Sequence, residues 1–461
     1  MNVSWKTWLW RTLITAAIVT LIAACFYAEE NSRGVNAWKK CEQQLAARGE
    51  SVTWTNYFPT PVPDDQNFYK APMMTEWFVR SPTNYLKISI ASLSTNRDTQ
   101  SDTITEMSAS NYLAWSDGFA VQFDQIRDAV KRPTAYIDGY YQHPFQSSSL
   151  SYPNFVSYRA VSQVLVHRAK CHLLLGEPDQ ALADLTLLHD LNRTLDNSNQ
   201  PAILVTIMMH VAISGIYVDA IACGIDSHSW REPDLSALQK QLAEISLLSA
   251  VGESFRYTRN ASCHMLDTAS VNELIATTGV KTNTASDLGS WFVPSGWIYQ
   301  NKAVIATLET GIIEAMDYTN LTVSPAKAKA NNRRTEDEFR HITPWNFVAA
   351  RSIPNFTKAV EAMARNQTWV DQAQIACALE RYRLANGKYP TTLAPLAPQF
   401  LDKIPHDIIN GKPMVYTFID EQNFKLYSIG WNEVDEGGMT AHDSAGKEDR
   451  DNGDWVWHYP M

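Results

Sequence analysis

The sequence predicts a mainly α-helical chain with a membrane helix at its N-terminus, an irregular helical body, and a C-terminal α+β module of one long helix and a small antiparallel sheet. Three observations predict it. Residues 12–28 carry no charge. Residues 152–318 repeat their apolar positions at helical spacing. After Pro354 a long helical pattern gives way at Asn386-Gly387 to short apolar runs separated by turn formers. At 461 residues the chain is too long for one core, and 45% apolar with 19% charged residues is the composition of a folded chain. A formal charge of -10 with no dense Lys/Arg cluster argues against a nucleic-acid partner. Membrane, protein and small-molecule partners remain.

The charge-free stretch spans roughly 25 Å as a helix, slightly short of a bilayer core. Trp5, Trp8 and Trp10 extend it into the headgroup layer, where Arg11 can snorkel. Lys6 and Arg11 precede the segment while Glu29 and Glu30 follow it, which places the N-terminus in the cytoplasm. Three routes stay open for residues 1–28: an uncleaved anchor, a cleaved signal peptide, or a lipoprotein. For the last, Ile22-Ala23-Ala24-Cys25 resembles a bacterial lipobox with Cys25 as the lipidated residue. Each route exports the remainder, so the expected location is the bacterial inner membrane, single-pass, with the bulk in the periplasm. Residues 29–72 read as a stalk helix (Val35, Trp38, Leu45) closed by Gly49, then an extended strap around Pro59, Pro61 and Pro63.

Residues 73–345 form the helical body. Its first part carries an expected strand at 85–90, a polar loop at 95–102 and a helix at 118–130. Tyr158, Val161, Leu165, Ala169 and His172 then share one helical face and Ala181, Leu185 and Leu188 the next, with Gly176 and Pro178 breaking the pair. This hairpin, 158–195, resembles one tetratricopeptide unit, because Leu165, Ala169, His172, Gly176, Ala181 and Leu185 fall where that repeat keeps its packing residues. Further helices are expected at 202–222, 234–253 and 298–318. The first is apolar nearly all round and reads as a central core helix, since His210 and Asp219 interrupt it as a membrane span. The Lys/Arg-rich stretch 325–338 reads as an exposed loop.

In the module at 354–461 the long helix turns Phe356, Val360, Met363, Val370, Ala373, Cys377, Leu379 and Tyr382 toward a core, and runs 414–418 and 424–429 pair as a hairpin across Asp420-Glu-Gln-Asn423. Ala378-Leu-Glu-Arg-Tyr-Arg-Leu-Ala-Asn-Gly-Lys-Tyr-Pro390, Leu396-Ala-Pro-Gln-Phe400, Ile404-Pro405, Asp407, Asn410-Gly411, Lys412-Pro413 and Tyr427-Ser-Ile-Gly430 resemble the globular half of the major pseudopilin of type II secretion. The whole helical body separates this module from the apolar segment, so the resemblance implies the fold of the module and not filament assembly. With Arg33-Gly34, Trp38 and Pro61-Val-Pro-Asp-Asp-Gln-Asn-Phe68, the chain also resembles uncharacterised exported proteins of planctomycete and verrucomicrobial bacteria.

Asp443, Asp449, Asp451 and Asp454, around Gly446 and Gly453, are the candidate metal ligands. Hard cations take six to eight oxygens from such loops, and the pseudopilin resemblance implies calcium near this position. The alternative is a solvated acidic loop. His167 and Cys171 lie one helical turn apart with His172 beside them, and Cys263-His264 form a second pair; both read as packing residues. The six cysteines contain no Cys-x-x-Cys. Trp77, Trp115, Tyr140, Tyr141, Trp291 and Trp297 read as core ahead of a ligand groove. No nucleophile elbow, zinc-protease, phosphate-loop or dinucleotide motif occurs. No catalytic residue and, calcium aside, no cofactor is assigned. The expected role is a non-enzymatic interaction or scaffold protein with protein partners; the alternatives are a component associated with a type II secretion or pilus-like apparatus, and an exported hydrolase with a carboxylate pair about 5 to 10 Å apart in a helical-domain cleft.

Overall fold

A computed structural model describes residues 5–57, 62–80, 105–138, 151–196, 203–277, 293–353, 355–444, 446 and 448–457. The expected strand at 85–90 and loop at 95–102, and Tyr140, Tyr141 and Trp291, lie outside the described residues. The chain divides into two compact units: unit 1 is Met1–Asn56, Thr258–Ile312 and Ala330–Phe356, and unit 2 is Tyr57–Tyr257, Ile313–Lys329 and Thr357–Met461.

Unit 1 starts with α1 (Trp5–Ala47), a 43-residue helix. It contains no proline, and its first half is rich in Ala, Leu and Ile. The apolar half is exposed all round, with Leu13, Ile14, Ile18, Val19, Leu21, Ile22 and Phe26 facing outward. From Glu30 onward the same helix buries one stripe, Glu30, Gly34, Trp38, Cys41 and Leu45, at the spacing of a single helical face. Gly49 stops it at φ 73. The amide of Gly49 bonds Ala46 O and that of Glu50 bonds Leu45 O, each at 3.0 Å, so a left-handed glycine satisfies the last carbonyls.

Among the described residues the further α-helices, in chain order, are α2 (Met74–Phe78), α3 (Glu106–Ser116), α4 (Ala120–Ala129), α5 (Phe155–Leu174), α6 (Pro178–Arg193), α7 (Leu204–Asp226), α8 (Glu232–Ala243), α9 (Leu247–Thr268), α10 (Val271–Thr277), α11 (Ser295–Ile313), α12 (Pro325–Glu338), α13 (Phe347–Ser352) and α14 (Phe356–Asn386). In unit 1, Trp38, Cys41 and Leu45 of α1 pack with Cys263 of α9 and Ala306 of α11. A second cluster joins Met265, Leu266, Leu274, Ile305, Val348 and Ala349. Asn301 Oδ1 accepts from Val348 N at 3.0 Å and Ala349 N at 3.1 Å, capping α13 from α11.

In unit 2 the hairpin α5–α6 turns at Gly176 (φ 75), with Pro178 in the first turn of α6. Leu165, Ala169, Ala181, Leu185 and Leu188 are fully buried, and α7 packs on both helices. The small strands are β1 (Val79–Arg80) with β2 (Tyr152–Pro153), and β3 (Met316–Asp317) with β4 (Thr322–Val323), each an antiparallel pair. At the C-terminus β5 (Val415–Phe418), β6 (Phe424–Ser428) and β9 (Trp455–Val456) form an antiparallel sheet in the order β5-β6-β9. Val415 pairs with Tyr427 and Ser428 with Trp455. β7 (Thr440–His442) and β8 (Glu448–Gly453) make a separate hairpin. α14 buries Phe356, Val360, Met363, Val370, Ala373, Cys377 and Leu379 and ends at Gly387 (φ 77), as its sequence pattern predicts.

Three sequence expectations are corrected. The stretch 325–338 is not a loop but α12: Ser324 Oγ accepts from Lys327 N at 3.3 Å, Pro325 opens the first turn, and Ala328 is buried while the Lys/Arg face stays wet. The single helix expected at 234–253 is two, α8 and α9, because Gln367 Oε1 takes the Leu247 amide at 2.8 Å and the chain turns at residues 244–246. The helix expected at 298–318 ends at Ile313 and yields to β3. The helix expected at 118–130 is present as α4, and a further helix, α3, which caps itself through Thr105 and Ser108, precedes it.

Candidate functional site

In unit 2, α7 is apolar along most of its length and sits against α14. At Gly215 a Cβ would stand 2.3 Å from Asn366 Oδ1, the end of a side chain on α14, so the missing Cβ leaves that amide its room. Gly215 and Asn366 both line a cavity of about 410 Å³ formed by the two helices. Met208, Val211 and Ile216 come from α7, Ala362, Arg365 and Trp369 from α14, and Trp457 closes the end. Arg365 is 7% exposed and its guanidinium lies 4.9 Å from the Trp369 ring centroid, a buried cation–π pair in a mainly apolar wall. The one carboxylate in this lining, Asp219, is bound to Lys170 Nζ at 2.6 Å. A carboxylate pair of the glycosidase kind is therefore not present in this cavity.

A second cavity of about 430 Å³ adjoins the first through the shared Ala362 and Arg365. Its chemistry is opposite. Glu361, Asp443, Glu448, Asp449 and Asp451 line it, with Lys358 and Arg365 as the cations. Lys358 Nζ bridges Asp451 Oδ1 at 2.6 Å and Glu361 Oε2 at 3.0 Å. Burial, then the neighbouring Asp451 carboxylate, push the Glu361 carboxyl up to about 7, while hydrogen bonds hold Asp451 below the usual range.

The sequence-predicted metal residues divide between two places. Asp443, Asp449 and Asp451 share the acidic cavity. Asp449 Oδ1 accepts from Asp451 N at 3.1 Å in a local turn. Asp454 is buried elsewhere, its Oδ2 accepting from the amides of Glu436, Gly438 and Met439 at 3.1, 2.7 and 3.2 Å. Among the described residues no group of three or more His, Cys, Asp or Glu side chains is arranged to hold a metal ion.

Cys25 is exposed on the apolar half of α1. His167 packs 4.2 Å from the Tyr112 ring, and Cys171 sits in the cluster of Ala109, Tyr112 and Leu113, with burial pushing its thiol up to about 11. His172 Nδ1 lies 2.7 Å from Glu177 Oε2. Cys263 is 1% exposed and its thiol raised by burial, and His264 stacks on Trp54 at 5.4 Å. Trp77 is buried, and the Trp297 indole donates to Glu30 Oε2 at 2.9 Å. The sequence reading did not single out Arg365, Trp369, Trp457 or Glu361. Arg365 and Trp369 lie one helical turn apart on α14, and nothing local distinguishes that pair from packing.

One further buried group stands apart. Glu309 on α11, in unit 1, is 1% exposed, and neither carboxylate oxygen has a hydrogen-bond partner among the described residues. Burial pushes its carboxyl up to about 8, and the charge of Arg259 offsets part of that. Arg259 itself is committed to Thr310 Oγ1, Asn260 Oδ1, Glu50 Oε2 and Ser51 O.

No family model, curated protein or solved structure matches the chain. What its fold and surface define is a class: a mainly helical, membrane-associated protein with one exposed, membrane-length apolar helix near the N-terminus and a C-terminal long helix accompanied by small antiparallel sheets.

Proposed function

We propose that the chain is a single-pass bacterial envelope protein, its N-terminus in the cytoplasm and its bulk in the periplasm, which acts by non-enzymatic binding. The observation that carries this reading is the division of α1, greasy on every side before Ala28 and buried along one stripe from Glu30, within one unbroken helix. A span that continues directly into a folded unit is an anchor rather than a removable leader. Lys6 and Arg11 on one flank and Glu29 and Glu30 on the other set the orientation. The partner is a protein segment that places apolar side chains between α7 and α14 and a basic residue beside Asp443, Asp449 and Asp451, since the two cavities adjoin and the second carries five described carboxylates against two cations. Protease accessibility in intact and permeabilised cells, with a reporter fused after Tyr57, tests the placement; a cytosolic, soluble reporter overturns it. Mass spectrometry of the mature N-terminus separates the anchor from a lipidated Cys25.

The second reading, association with a type II secretion or pilus-like apparatus, is favoured by α14 leading into the hairpin β5–β6 with β9 as a third strand. Affinity capture from the native host distinguishes the two: recovery of secretion components supports the second, and recovery of unrelated envelope proteins the first.

A further inference from the structure

We infer that unit 1 makes a second contact with the lipid bilayer, through the rigid loop that displays Ile342 and Trp345. The inference rests on α1 spanning the membrane and concerns unit 1 alone. In α11, Gly296 faces Gly34 and Ala303 faces Cys41, the same step along both helices, so α11 runs parallel to α1 with its N-terminus toward the bilayer. The contact begins where the apolar segment ends: Trp297 lies edge-on to Phe26 at 6.3 Å, and Asn31 Oδ1 accepts from Gly296 N at 2.9 Å.

The loop is fastened to this end. Asn301 Nδ2 donates to Trp297 O at 2.8 Å and to Pro344 O at 2.9 Å, which fixes Pro344 beside the first turn of α11. At about 1.5 Å of rise per residue, that is roughly 12 Å beyond the level of Ala28. The headgroup layer is roughly 5 to 7 Å deep, and a tilted span together with the reach of a Trp or Ile side chain closes the difference.

The loop is also held in shape. Asn346, 3% exposed, accepts from Thr343 N at 2.7 Å and donates to Glu338 O at 3.0 Å and His341 O at 3.1 Å. Two buried asparagines thus organise a loop whose apolar side chains point out, Ile342 55% and Trp345 39% exposed. An aromatic residue with a polar edge, beside an aliphatic one, on an element tethered a side chain's reach above the headgroup layer, matches an interfacial lipid contact.

The test uses the full chain in nanodiscs of phosphatidylethanolamine and phosphatidylglycerol, with acyl chains brominated near the headgroup. An environment-sensitive fluorophore is placed at Ile342→Cys, at Ile18→Cys within the span, or at Gln44→Cys high on the stalk, in a Cys25→Ser, Cys223→Ser background. Quenching at 342 several-fold stronger than at 44, with 18 also quenched, supports the contact. Quenching at 18 with 342 no different from 44 overturns it and leaves the anchor standing. No quenching at 18 removes the anchor, and the loop contact with it. In the unaltered chain, a photoactivatable lipid must label the peptide containing Ile342 and Trp345; its absence from the labelled peptides, where α1 peptides are labelled, also overturns the inference.

Discussion

Replacing Glu309 with glutamine isolates the electrostatic cost of a single buried carboxyl. The side chain is 1% exposed, its oxygens lack partners among the described residues, and burial raises it from an ordinary 4.5 to about 8. The folded chain therefore keeps a proton that the unfolded chain releases above about pH 4.5, so folding takes up a proton and stability falls as pH rises toward about 8. At about 1.4 kcal/mol for each tenfold change in proton affinity, the loss is roughly 3 kcal/mol by neutral pH and roughly 5 kcal/mol once pH passes 8. Glutamine has the same shape and no charge to suppress. Glu309→Gln should match the parent near pH 5 and exceed it by about 3 to 5 kcal/mol near pH 8. Denaturant unfolding of the full chain in micelles, followed by tryptophan fluorescence across that range, measures the difference. Parallel loss of stability in both proteins would refute the reasoning, because it would mean that Glu309 is already ionised and solvated when folded.

Three more outcomes follow from the packing. A Cβ at Gly34 would stand 2.1 Å from Gly296 O, so Gly34→Ala should push α1 off α11 at a cost of about 1 to 3 kcal/mol, read as faster hydrogen exchange in both helices. Glu380, fully buried, is raised by burial but lowered further by hydrogen bonds from Arg383 and Tyr389, leaving its carboxyl below the usual range. Its stabilisation is present above the ordinary carboxylate range and is lost as pH falls through the depressed value; Glu380→Gln should cost about 3 to 5 kcal/mol at neutral pH and flatten the acid limb of the unfolding profile. Trp369→Ala removes the cavity wall beneath Arg365, so it should abolish capture of the protein partner without changing helix content, and retention of capture would move the binding site elsewhere.

Elements governed by short-range rules were legible in the chain. The apolar N-terminal helix, its stop at Gly49, the turn at Gly176-Glu177-Pro178, the end of the long helix at Gly387 and the β5–β6 hairpin each depend on residues within a turn or two of one another. Of the failures, one has a local cause and one a long-range cause. The charge of residues 325–338 points to a loop, yet alanines on one face and Ser324 as cap make a helix whose basic side stays solvated. The break between α8 and α9 depends on Gln367, distant in sequence, claiming an amide that continuous helix would have used.

The sequence alone determined that this chain carries a membrane-length apolar helix, a mainly helical body and a final long helix with small antiparallel sheets, because helix periodicity, capping and hydrophobic length are encoded within single segments. Tertiary structure alone decided that Asp454 turns inward while Asp443, Asp449 and Asp451 line one cavity with Lys358, that α7 and α14 line a cavity with Arg365 and Trp369, and that Glu309 lies buried. These placements depend on contacts between segments far apart in the chain, and a carboxylate's neighbours, not its identity, set whether it binds a cation, caps a turn or keeps its proton.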